Sequence, residues 1–116
     1  MSQIETFFEA WGMAEPEARK AAIESAVEND IVYADPRSPS PITGAAALAD
    51  YVGMFSQAAP GARAVVVKSD VTGEMARVTV AFRMADGMEQ LGQYFIEPAT
   101  GPILRMTGFV GTGAPE

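Results

Sequence analysis

The chain has 116 residues, with 8 basic against 15 acidic side chains, a formal net charge of −7 and 48% apolar residues. Size and composition suit one globular domain with a real core, and the acidic balance argues against nucleic acid or an anionic membrane as partner. Cysteine and histidine are both absent, which excludes disulfides, thiolate or imidazole catalysis and most transition-metal sites.

Ile4, Phe7, Phe8 and Trp11 recur at i, i+3, i+4 and i+7 and predict an amphipathic first helix that Gly12 ends. Pro16 suits the first turn of a second helix, with Glu15 and Glu17 at its positive end; that helix is predicted to run to about Val27. Glu24 and Glu28 then read as a solvated helix face. Asn29-Asp30 is read as a turn into a short strand, 31–35, and a loop containing Pro36, Pro39 and Pro41 leads to Thr43 as N-cap of a third helix. Leu48, Tyr51, Val52 and Phe55 form the stripe of that helix.

Pro60-Gly61 changes the period. Val65-Val66-Val67, the alternating run Val78 to Met84, Leu91 to Ile96 and Ile103 to Val110 predict four strands. Thr72-Gly73 and Pro98 to Pro102 make turns, and Asp86-Gly87 predicts a type I′ hairpin. The order ααβαββββ reads as α+β, three helices packed on one face of a curved antiparallel sheet. Residues 1–111 form the single expected domain, with 112–116 a flexible tail. The other face of the sheet is assigned Ala64, Val66, Ala81, Tyr94 and Ile96. Such an apolar face predicts a homodimer interface. No run is long enough to span a bilayer, and the start lacks the basic and apolar blocks of a signal peptide, so the cytoplasm is the expected compartment.

The chemistry concentrates at Tyr33-Ala34-Asp35-Pro36. Proline at 36 favours extended backbone at Asp35, and alternation puts Ile31, Tyr33 and Asp35 on one face. A carboxyl beside apolar neighbours must be hydrogen-bonded or line a cavity, and desolvation there would suit it to proton transfer. The other reading of Asp35 is an Asp-Pro turn opener. Gln93 alternates with Leu91 and Phe95, a pattern that turns all three towards the interior; it is either a donor to a substrate carbonyl or a buried amide. Tyr33 is either a phenolic donor or a core residue. No phosphate loop or metal-ligand set is present, and no cofactor is expected.

Together these features resemble the nuclear transport factor 2-like superfamily, within it the SnoaL-like and ketosteroid isomerase-like branch. The resemblance rests on Phe7-Phe8-Glu9-Ala10-Trp11, on Asp35-Pro36 with Gly44-Ala45-Ala46 nine residues on, on Pro60-Gly61, and on Met106-Thr107-Gly108-Phe109-Val110-Gly111. It implies a cystatin-like cone in which Asp35 stands where ketosteroid isomerases keep an aspartate base opposite a tyrosine and a protonated aspartate. Here those two positions hold Phe8 and Gln93, so polyketide cyclases of the SnoaL-like kind resemble the pattern better. The resemblance also implies that Trp11, Phe55, Phe82, Phe95 and Met106 line the cone around an apolar, polycyclic or aromatic molecule. Two functions follow as expectations: proton transfer by Asp35 on a hydrophobic carbonyl compound, or a non-catalytic ligand-binding or dimerisation module of the same fold.

Overall fold

In a computed structural model that describes residues 2–113, helix α1 (Gln3–Ala10) starts at a capping box. The Glu5 N–H donates to Ser2 Oγ at 3.2 Å, and the Ser2 N–H donates back to the Glu5 carboxylate at 3.4 Å. Its apolar stripe is buried as predicted, with Trp11 as the C-cap. Helix α2 (Pro16–Ala26) has Pro16 in its first turn and Glu15 as N-cap. Its buried Arg19 donates to the Met13 carbonyl at 2.9 Å.

No turn separates α2 from the next strand: Val27 takes extended backbone (φ −124°, ψ 159°) and β1 runs Val27–Ala34. Glu28 therefore lies in β1 and not on the predicted helix face. The reason is a bulge. Val27 pairs with Ile103 and Val32 with Arg105, so the excess residues bow out and the polar Glu28, Asn29 and Asp30 face solvent. Thr43 does not cap the third helix either. It pairs with Val32 in a two-residue strand, β2 (Ile42–Thr43), and Gly44, at φ +101°, precedes α3 (Ala45–Ala58).

Strands β3 (Arg63–Thr72), β4 (Met75–Arg83), β5 (Glu89–Glu97) and β6 (Ile103–Val110) complete a six-stranded curved sheet in the order β2-β1-β6-β5-β4-β3. Every ladder is antiparallel except β1–β6, which makes the sheet mixed. The Asp86-Gly87 hairpin forms by another turn. Gly87 N–H donates to the Met84 carbonyl at 3.0 Å and Gly87 alone has positive φ (+93°), the three-residue loop with a glycine bulge and not type I′. The tail expected at 112–116 extends past the described residues from 114 onward.

The concave face packs against the helices: α1 lies on α2 and β3, α3 on α2 and β1. Here the expected face assignment reverses. Val78 pairs with Tyr94 and Ala76 with Ile96, and all four side chains belong to the buried core, as does Ala64. Val66 packs against that core. Of the five residues assigned to the outer face, Ala81 alone shares its register with outward positions, opposite Leu91 and Val65. The apolar face offered as a dimer surface is thus mainly interior. The convex side carries Phe95, 38% exposed, in edge contact with Phe109 at 5.8 Å.

Candidate functional site

Asp35 stands just past the end of β1, where the two-residue period puts it on the same face as Ile31 and Tyr33. In the structure its carboxyl has partners on two sides. Towards the loop it opens a turn: Oδ1 accepts the N–H groups of Arg37 at 2.8 Å and Ser38 at 2.9 Å. Towards the cone it accepts two phenols. Tyr33 donates to Oδ2 at 2.6 Å, and the Tyr51 hydroxyl from α3 straddles both oxygens at 2.8 and 2.9 Å. Four donors thus converge on this one carboxyl group.

The network runs deeper. Tyr33 and Tyr94 share a buried O···O contact of 2.9 Å. A phenol has one proton, and Tyr33 spends its proton on Asp35, so Tyr94 is the donor of that pair. Burial above all, then the neighbouring Tyr94 and Asp35, drives the Tyr33 phenol far above its ordinary 10.0. Burial likewise leads in raising Tyr51, with the Asp35 hydrogen bond next, and in raising Tyr94. All three phenols of the chain therefore stay protonated as fixed donors, every one aligned towards a single carboxylate.

Beside this network lies a cavity of about 60 Å³. Trp11, Tyr51, Phe55, Phe82 and Tyr94 contribute its walls, and Asp35 is the one carboxylate that borders it. At the exposed rim the Arg37 guanidinium donates to Gln90 Oε1 at 3.2 Å. The aromatic rings fill most of the cone themselves: Trp11 meets Phe55 at 4.9 Å and Phe82 at 5.6 Å. A roomier groove lies between α1 and β3, away from Asp35, with Phe8 and Arg63 on its walls.

Asp35, Trp11, Phe55 and Phe82 meet at the cavity. Tyr33 joins them through its bond to Asp35. Phe8 and Met106 are core residues, and neither borders the cavity. Gln93 and Phe95 do not converge on it: they sit on the outward register of β5, and the donor expected of Gln93 is absent from the site. Tyr51, Tyr94, Arg37 and Gln90 escaped the sequence reading. The signal available was that a carboxyl on an apolar face needs donors, and that the chain holds just three tyrosines. Among the described residues no group of three or more acidic side chains gathers as a metal site would require, and no helix is long and apolar enough to cross a membrane.

Comparison with known proteins gives a consistent family. The SnoaL-like domain family matches residues 4–110. A candidate isomerase of the SnoaL-like family from Agrobacterium tumefaciens superposes with TM-score 0.82 at 23% identity, covering 95% of each chain. A candidate polyketide cyclase from Sinorhizobium meliloti gives 0.71 at 20% identity, over 91% of this chain and 92% of that one. A candidate ketosteroid isomerase from Kribbella flavida gives 0.67 at 22% identity, over 98% of this chain and 78% of that one. At these identities the structural likeness shows the shared fold alone. No curated protein matches the chain.

Proposed function

The chain belongs to the SnoaL-like domain family, and from that premise we propose that it catalyses proton transfer on a small carbonyl compound, with Asp35 as the proton carrier. The observation that carries this reading is that Asp35 is the one carboxylate bordering the cavity and is held there by Tyr33 and Tyr51. The carboxylate removes a proton from the carbon next to the carbonyl, and the C–H electron pair delocalises onto the carbonyl oxygen. The same proton, now on Asp35, returns to another carbon of the enolate. Taking up the proton reduces the acceptor capacity of Asp35, so one phenol loses its partner at the moment negative charge develops on the substrate. Tyr51, less buried than Tyr33 and shared between both oxygens, is the one free to turn to that charge.

The test needs no knowledge of the natural substrate. Exchange of the α-hydrogens of butanone for deuterium, followed by NMR, should be accelerated by the protein and lost in Asp35→Asn, while butanone affinity changes little. Equal exchange in that variant would sink the reading.

A second reading, a binding module without chemistry, is favoured by one specific feature: Asp35 already caps the backbone of Arg37 and Ser38. It predicts butanone binding with no exchange in either protein.

A further inference from the structure

Among the described residues Arg37 is the one cationic residue that borders the Asp35 cavity. Though exposed, its guanidinium is tethered. From the loop after β1 it reaches across β6 to Gln90 on β5 and donates to Oε1 at 3.2 Å. Gln90 stands opposite Phe82 in the β4–β5 register and alternates with Gly92 and Tyr94, so it belongs to the inner set of β5. A guanidinium held by Gln90 therefore stays on the concave side, at the mouth of the cavity. The inner position between Gln90 and Tyr94 is Gly92, with no side chain to fill the space below. The positive charge of Arg37 also opposes the rise of the Tyr51 and Tyr94 phenols, so both lie within its electrostatic reach.

Arg77, Arg83 and Arg105 each pair with a carboxylate, that of Asp70, Glu89 and Glu97 respectively. Arg37 instead holds a neutral amide, in a chain with a net charge of −7. An amide oxygen engages one of the five N–H donors of a guanidinium. A planar carboxylate takes two in parallel, in charge-assisted bonds about twice as strong as neutral ones. We infer that Arg37 anchors a carboxylate of the ligand, which displaces the Gln90 amide, and that the ligand is a short oxo acid. The inference rests on the proposed function for the carbonyl and adds the acid group beside it. A cavity bordered by the Asp35 carboxylate alone would repel an anion, and the guanidinium at its mouth offsets that charge. One guanidinium balances one negative charge, which matches a carboxylate better than a phosphate dianion. The cavity is small, so the anchored carboxylate and the reacting carbonyl are close neighbours in the ligand.

2-Oxobutanoate is butanone with the methyl group next to the carbonyl replaced by a carboxylate, so the pair isolates the acid group. NMR titration at pH 7 is expected to show the oxo acid binding about tenfold tighter than butanone. Arg37→Gln should bring 2-oxobutanoate down to the level of butanone. Arg37→Lys keeps the charge but loses the planar fork, and should fall between the two. Equal affinities in the parent protein, a preference for the oxo acid that survives in Arg37→Gln, or no binding of 2-oxobutanoate would overturn the inference. Displacement of 2-oxobutanoate by inorganic phosphate at equal concentration would also overturn it, and would assign the site to phosphate groups. The affinity ratio reads Arg37, whereas deuterium exchange in Asp35→Asn reads the proton carrier, so the two proposals fail separately.

Discussion

The ring of Tyr94 lies flat against the bare backbone of Gly108 on the neighbouring strand, where a Cβ would come within 2.7 Å of Cε2 and 2.8 Å of Cζ. A methyl group has no room there, and a ring with its neighbours close-packed cannot simply step aside. The glycine is thus what lets the Tyr94 hydroxyl reach Tyr33, and through it Asp35.

Gly108→Ala should displace the ring and break the Tyr94–Tyr33 bond. Overpacking of this kind costs about 1–3 kcal/mol. Urea denaturation would read the loss, and a variant as stable as the parent would mean that the ring has freedom the packing denies it.

The three raised phenols give a signed pH dependence. Below the ordinary phenol value of 10.0 both folded and unfolded chains keep these protons, so stability is fully present there. Above it the unfolded chain releases protons that the folded chain retains, and stability falls as pH rises towards the folded values. Urea midpoints taken from pH 8 upward should therefore hold and then drop beyond about pH 10. The native protein should show no tyrosinate absorbance in that range, since all its tyrosines belong to the network. Tyr33→Phe should flatten the drop.

Tyr51→Phe separates binding from turnover. The phenol is only partly buried and Tyr33 still serves Asp35, so folding should change little. Losing one donor to the developing oxyanion lowers rates by about a hundredfold. The butanone exchange rate should drop on that scale while affinity stays near the parent value. A parallel fall in affinity would instead assign Tyr51 to ligand binding.

How far the sequence reaches is clearest in β1 and β5. Tyr33 and Asp35 are two residues apart in extended backbone, so the pleat alone puts them on one face, and that shared face was legible before any fold. The helical stripe of Ile4, Phe7, Phe8 and Trp11 was legible for the same reason, because spacing fixes the face. In β5 spacing was silent: Leu91 and Phe95 alternate with Tyr94 and Ile96, and both sets are apolar. Pairing with Val78 and Gly108, far away in the chain, chose the inner set and sent Gln93 outward.

Local order along the backbone therefore determined the helices, most of the strands, and a carboxyl facing the interior beside a phenol. Tertiary structure decided which residues answer that carboxyl. Tyr51 reaches it from 16 positions along the chain and Tyr94 reaches Tyr33 from 61. Contacts of that separation depend on how sheet register and helix packing close the cone, and no periodicity in the sequence encodes them.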